Sequence, residues 1–108
     1  MQHNRSLFDK LVAHMRSVEP TLRLGLMFGC PAVFVGRRLA FCVFGSAVVA
    51  KIPQAEAARL IAAGTAIAFR PYGRPAMKEW VEIKAKPTDV VSLVPVMSLA
   101  LRHAKDGA

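Results

Sequence analysis

Cysteine is scarce in this 108-residue sequence, and its placement does not suggest a disulfide framework. The two cysteines, Cys30 and Cys42, lie in strongly apolar, strand-like stretches. A free thiol in such a setting behaves as a small hydrophobic group. The composition therefore excludes the class of small proteins that are held together by several disulfide bridges.

Long hydrophobic runs and a signal peptide are also missing. Polar residues fill positions 2–5, where a signal peptide would need an apolar core. The longest apolar run, residues 90–101, is too short to span a bilayer. We therefore predict a cytoplasmic protein without a membrane partner.

Acidic residues are few, since seven of them stand against 15 lysines and arginines and leave a net charge of +8. A surplus of this size attracts polyanions such as nucleic acid, or an acidic patch on another protein. The cations are scattered along the chain rather than concentrated in one helix. This pattern favours a role in solubility over a dedicated nucleic-acid surface.

Residue groups that carry catalysis or bind metals are absent as well. His3, His14 and His103 are far apart in the sequence, and no cysteine pair has metal-ligand spacing, so no metal and no cofactor is predicted. Ser46 lies in a hairpin-like turn without the second glycine of a nucleophile elbow. Cys42 has no base near it in sequence. We predict no catalytic residue, and hence a protein that is not an enzyme.

Two helices are predicted in the first two thirds of the chain. The first covers residues 6–18, with Ser6 as its cap and the Glu19-Pro20 pair at its end. Its apolar residues recur at helical spacing: Leu7, Phe8, Leu11, Val12 and Met15. The second helix begins at Pro53 and ends at Gly64 in a left-handed cap.

Short strands separated by glycine-containing turns are predicted between these helices, in the pattern of an antiparallel meander. They cover residues 22–28, 32–35, 39–44 and 47–52, and two further strands cover residues 67–70 and 80–84. Several runs are apolar at consecutive positions, for example residues 33–35. Such strands predict cover on both faces of the sheet, by helices or by a second subunit.

A third helix is predicted over residues 88–105, with Thr88 or Ser92 as its cap. Pro95 either kinks this helix or lies in its first turn. Apolar residues surround almost the whole helix, which is typical of a helix that is deeply buried or pressed into an interface. We therefore predict a homodimer, with an interface formed by Val94, Met97 and Leu101.

One segment alternates cations with aromatic residues across a loop that contains two prolines. Its candidate binding residues are Arg70, Tyr72, Arg74, Lys78 and Trp80. Guanidinium groups bind phosphates or carboxylates, while aromatic rings stack on bases. The sequence favours the other interpretation, in which Phe69 and Trp80 anchor the loop to the core and the cations are solvated.

Three segments, in this order, resemble the N-terminal domain of the TfoX family of transformation regulators. They are Gly25-Leu26-Met27-Phe28-Gly29, the hairpin-like stretch 35–41, and the stretch 69–81 that follows Gly64. The resemblance implies an antiparallel sheet flanked by helices and a role in natural competence and gene expression in bacteria. It implies no catalytic residue.

The sequence as a whole predicts one α+β domain over residues 1–108, with an antiparallel meander flanked by N-terminal, middle and C-terminal helices. The favoured function is a non-catalytic regulatory module that acts through protein contacts. The alternative is a nucleic-acid-binding module that uses the basic aromatic loop. A small-molecule pocket beneath the turn at residues 27–29 is the least favoured hypothesis.

Overall fold

The apolar stripes and glycine turns of the sequence give three α-helices and six strands among the residues that the structure describes. A computed structural model describes residues 2–70, 73, 75 and 77–107. Its elements, in chain order, are α1 (Arg5–Val18), β1 (Arg23–Met27), β2 (Cys30–Val35), β3 (Arg38–Phe44), β4 (Ala47–Lys51), α2 (Gln54–Ala62), β5 (Ile67–Ala68), β6 (Trp80–Lys84) and α3 (Val90–Gly107). The predicted α+β class, with N-terminal, middle and C-terminal helices, is confirmed.

The strands form one antiparallel sheet in the order β1-β2-β3-β4-β6-β5. The first four strands are the predicted meander, because tight turns join each strand to the next. After α2 the chain enters at the sheet edge as β5 and returns as β6 beside β4. The predicted strand over 67–70 is shorter in the structure, since only Ile67 and Ala68 pair with β6.

The described helices all pack against one face of the sheet. Residues of α1, α2 and α3 share a single buried cluster with β-strand residues such as Val33, Phe41 and Val48. The fully buried Phe8, Leu11 and Met97 are among its largest side chains. The apolar stripe predicted for α1 therefore faces the sheet and α3, as its spacing requires.

Residues before α1 fix its start and attach it to the sheet. The Asn4 side chain, rather than that of Ser6, caps the helix by accepting a hydrogen bond from Leu7 N–H at 3.0 Å. The Asn4 N–H donates to the Gly45 carbonyl at 2.9 Å, and the Gly45 N–H donates to His3 Nδ1 at 2.8 Å. The predicted cap was two residues late because the asparagine, which is an equally good cap, comes first.

Helix α2 begins and ends close to the positions that proline and glycine predict. Pro53 precedes it, and the chain leaves it through Gly64 at φ +77°, a left-handed conformation that glycine adopts without strain. The Thr65 N–H donates to the Leu60 carbonyl at 3.0 Å and so closes the last turn.

Helix α3 differs from its prediction at its start and in its surroundings. A 3-10 turn at Pro87–Asp89 leads into the helix, so neither Thr88 nor Ser92 is its cap. Pro95 lies inside the continuous helix rather than in its first turn. No described helix is both long and apolar enough to cross a membrane.

The predicted dimer interface on α3 is largely occupied by the protein's own core. Met97 and Leu101 are 0% and 2% exposed, respectively. They are buried because α3 lies against β2, β3 and β4 on one side and α1 on another. The prediction of an interface is therefore wrong for these two residues, and of the predicted set Val94 alone keeps exposed surface.

Candidate functional site

One face of the sheet carries none of the described helices. It is formed by the strand residues that alternate with those of the helix-covered face. Because successive strand residues point to opposite faces, every second side chain reaches this side. A second buried cluster results, composed of Cys30, Ala32, Leu39, Cys42, Val49 and Phe69. Partly buried residues rich in aromatic rings surround it: Met27, Phe28, Phe34, Phe44, Met77 and Trp80. We call this side of the sheet the aromatic face.

Four rings form a contact network at the centre of the aromatic face. Phe69, which is 1% exposed, stacks on Trp80 with ring centroids 6.0 Å apart and an interplanar angle of 23°. The Phe44 ring meets Phe69 edge-on at 5.6 Å. The Phe28 ring lies 6.0 Å from Phe69 and 6.3 Å from Trp80. Separations of this size are those of favourable aromatic pairs, and the predicted anchoring of the loop by Phe69 and Trp80 is confirmed by these contacts.

Phe28 reaches this network from a tight turn. Phe28 and Gly29 have φ values of +55° and +74°, and they connect Met27 of β1 to Cys30 of β2. Positive φ at both central residues is the geometry of a two-residue hairpin turn that suits the twist of the strands. A phenylalanine is unusual there, because its Cβ is crowded in the left-handed region.

A second aromatic contact joins β1 to β2 near the other end of these strands. Arg23 and Phe34 are cross-strand partners, and the Arg23 guanidinium carbon lies 5.8 Å from the centroid of the Phe34 ring. Arg23 also donates to the Gly36 carbonyl, with Nε 3.0 Å away. The Phe34 ring covers Gly25 so closely that a Cβ built there would lie 3.0 Å from it.

Cations lie on the aromatic face or next to its residues in the chain. Lys84 follows Trp80 at alternate positions of β6 and is exposed, while Glu82 between them is a partly buried acid. Arg70 and Lys78, which flank the rings in sequence, are both exposed. Lys51, opposite Trp80 in the sheet, lies 4.0 Å from Glu79.

The structure thus brings part of the predicted binding loop to this face. Trp80 contributes its ring, while Arg70 and Lys78 are exposed charges that adjoin Phe69 and Met77 in sequence. The other two predicted residues, Tyr72 and Arg74, lie outside the described residues. Sequence reasoning missed Arg23, Phe34 and Lys84. Their side chains share one face of the sheet, and this becomes visible only once the strand pairing is known.

Two adjoining cavities open at the Lys84 end of the sheet. One, of about 390 Å³, is lined by Phe44, the turn 45–46, Ala47, Glu82 and Lys84. The other, of about 340 Å³, lies between residues 64–67 and the same Glu82 and Lys84 side chains. Their volumes are at the lower end of those of small-molecule sites. They do not lie beneath the turn at residues 27–29, where the sequence placed the least favoured pocket.

The two cysteine thiols beneath the aromatic face are poorly reactive. Burial, with a further contribution from neighbouring Cys30, raises the pKa of the Cys42 thiol to about 12. Burial also raises the pKa of Cys30. A thiol must ionise before it attacks an electrophile or binds a metal. Both cysteines therefore behave as the small hydrophobic residues that the sequence predicted.

The described histidines and acids do not gather into a metal site. No group of three or more histidine, cysteine, aspartate or glutamate side chains is close enough to hold an ion among the residues that the structure describes. His3 accepts a backbone hydrogen bond, His14 is exposed, and His103 Nε2 lies 3.4 Å from the Glu79 carboxylate.

Comparisons of the chain with protein-family models, with curated proteins and with solved structures found no match. The resemblance to the TfoX N-terminal domain therefore stays a prediction from three sequence segments.

Proposed function

We propose that this protein is a non-catalytic binding module whose aromatic face binds single-stranded nucleic acid. The observation that carries the proposal is the division of the sheet, with the described helices on one side and partly exposed aromatic rings edged by cations on the other. Aromatic rings in a sheet stack on unpaired bases, and lysine and arginine side chains contact the phosphates that connect them.

The protein-contact hypothesis, which the sequence favoured, has lost part of its support. It depended on α3 as an interface, and Met97 and Leu101 are buried in the core. Positive charge, by contrast, supports the proposal, because exposed Lys84 shares one face of β6 with Trp80, and exposed Arg70 directly follows Phe69 in the chain. A regulatory role, which the resemblance implies, is compatible with a module that binds nucleic acid and performs no chemistry.

Trp80 provides a direct measure of binding, because it is the single tryptophan of the chain and belongs to the aromatic face. We expect an oligothymidylate to quench its fluorescence. Polyglutamate, which supplies negative charge without bases, should not quench it. Equal quenching by both polymers would mean that charge alone is recognised, and absence of quenching by either would contradict the proposal.

Paired substitutions identify the surface. We expect the double variant Arg70→Ala/Lys84→Ala to bind the oligothymidylate more weakly than the wild type. Its affinity should also depend less on salt between about 50 and 200 mM, with the slope of log K against log salt reduced in magnitude by about 1.4. The matched control, Lys10→Ala/Arg16→Ala, removes the same charges from exposed positions of α1 on the opposite side. If the control loses as much affinity as the first variant, the aromatic face is not the binding surface.

A further inference from the structure

Strand β1 leaves an apolar edge of the sheet exposed. It pairs with β2 alone among the described strands, and four of its five residues are exposed. Leu24 is 48% exposed and Leu26 is 70% exposed. Proteins normally protect such an edge with charges, proline or a covering segment, because its free backbone groups can pair with another strand. Here Arg23 is the one charged residue of the strand, and its guanidinium bonds to the Gly36 carbonyl of the same chain.

The turn that follows β1 decides which backbone groups face outward. In a two-residue hairpin the flanking residues, here Met27 and Cys30, exchange both of their backbone hydrogen bonds. The pattern alternates along the strand, so Arg23, Gly25 and Met27 direct their N–H and C=O groups toward β2. The backbone groups of Leu24 and Leu26 therefore point away from the sheet.

From this geometry we infer that β1 is a self-pairing edge, and that its partner is β1 of a second copy of this chain. An antiparallel pair with its two-fold axis at Gly25 places Leu24 opposite the partner's Leu26 and Leu26 opposite the partner's Leu24. Each of these pairs exchanges both backbone hydrogen bonds, about four bonds in total. The interface is isologous, as expected for a two-fold dimer.

Side chains support the same register. Leu24 and Leu26 point to the face that carries the helices, beside their β2 partners Val33 and Pro31. Across the two-fold axis four leucines would therefore form one continuous apolar strip. On the aromatic face the central pair is Gly25 with Gly25, so no side chains collide where antiparallel strands approach most closely.

Charge does not oppose this pairing, although the chain carries a net charge of +8. The two-fold register sets Arg23 opposite the partner's Met27 rather than opposite a second cation. Like charges directly opposite one another would destabilise the pair. The contact area is that of one strand and two leucines per chain, which is below the size of a standard interface. The dimer should therefore depend strongly on concentration.

Sedimentation velocity over a wide range of protein concentrations tests the inference. We expect the wild-type protein to pass from monomer to dimer as concentration rises, and Leu24→Lys/Leu26→Lys to remain monomeric. The control Ile67→Lys/Val91→Lys adds the same charge at apolar positions that are 59% and 73% exposed, away from β1. It should dimerise like the wild type. A wild-type protein that is monomeric at every concentration, or a control that loses dimerisation as fully as the edge variant, overturns the inference.

Cross-linking tests the register directly. In an equal mixture of Leu24→Cys and Leu26→Cys, a short thiol-reactive cross-linker should join the two variants, because residues 24 and 26 face each other across the axis. Each variant alone should cross-link several-fold less. The native Cys30 and Cys42 are buried and should not react. Equal cross-linking in the mixture and in the separate variants would rule out the Gly25-centred pair.

Discussion

Phe28 combines an unfavourable backbone conformation with favourable ring contacts. Its φ of +55° lies in the left-handed region, which costs an ordinary residue about 1–2 kcal/mol. Its partly buried ring contacts Phe69 and Trp80, and burial of a phenylalanine side chain contributes about 1.5–3 kcal/mol. The packing term is the larger of the two, so the side chain holds the turn in this conformation.

Two substitutions at position 28 should separate these terms. Phe28→Gly loses the ring but relieves the backbone, and we expect it to lower the free energy of unfolding by about 1 kcal/mol. Phe28→Ala loses the ring and keeps the strain, so it should be less stable than Phe28→Gly by about another 1 kcal/mol. Urea denaturation followed by circular dichroism measures both, since the Trp80 signal itself depends on Phe28. An alanine variant as stable as the glycine variant would show that residue 28 is not strained.

Single residues were predictable where their immediate surroundings decide their role. The burial of the two cysteines follows from apolar neighbours in sequence, and the structure confirms it. The contact between Arg23 and Phe34 was missed because β-sheet register brings these residues together from different strands. The Asn4 cap was missed because Ser6 offers an equally plausible signal two residues later.

Pro95 is the residue of α3 that fits its helix least well. It lies in the second turn of Val90–Gly107, where a residue with an N–H would donate to the Val91 carbonyl. Proline lacks that donor, and in a helix interior it is about 3 kcal/mol less favourable than alanine. Pro87, by contrast, stands at the start of the 3-10 turn, where no intrahelical donor is needed.

The two prolines should therefore respond in opposite directions to replacement by alanine. Pro95→Ala should stabilise the protein by about 1–3 kcal/mol, because it restores a backbone hydrogen bond at an exposed position. Pro87→Ala should destabilise it by about 0.5 kcal/mol, because the unfolded chain gains freedom. Thermal denaturation of the two variants beside the wild type provides the comparison. Loss of stability in Pro95→Ala would mean that the helix is built around the proline.

Apolar periodicity and glycine turns made the positions of the helices and strands predictable. They did not show which parts of the molecule pack against each helix and each face of the sheet. Runs such as residues 33–35 indicated cover on both faces of the sheet, by helices or by a second subunit. Among the described residues the helices cover one face, and aromatic side chains pack on the other. The all-round apolar pattern of α3 likewise indicated burial. It could not reveal that the sheet and α1 of the same chain cover Met97 and Leu101.

Several of the acidic side chains form ion pairs or hydrogen bonds within the molecule. Asp9, Glu56 and Glu79 form ion pairs with Arg5, Arg59 and Lys51, respectively, while the Asp89 carboxylate accepts from the Lys86 N–H. Negative charge that is engaged in this way leaves the surplus cations to set the field that a ligand meets. This surplus supports the proposed binding of a polyanion. If β1 pairs with β1, both aromatic faces of the dimer lie on the same side of one sheet.

Glu19 connects the segment after α1 to the end of α3. Its carboxylate accepts hydrogen bonds from the Thr21 hydroxyl and N–H, and from Lys105 Nζ at 3.0 Å, so the segment after α1 is fastened to the end of α3. The hydrogen bond from Thr21, followed by that from Lys105, lowers the pKa of Glu19. A carboxyl whose pKa is depressed by folding stabilises the folded state above its unfolded pKa. That contribution is lost as the pH falls through its folded pKa.

Glu19→Gln should therefore be less stable than the wild type at pH 7, and the difference should shrink as the pH falls below about 4. Melting temperatures measured from neutral to acidic pH check this. Thr21→Ala should remove more of the pH dependence than Lys105→Ala, because the hydroxyl is the larger cause of the shift. Asp9→Asn is the control, since its ion pair with Arg5 is exposed and such pairs contribute little. If the difference in melting temperature between Glu19→Gln and the wild type stays constant across the pH range, the glutamate acts through its shape and hydrogen bonds rather than through its charge.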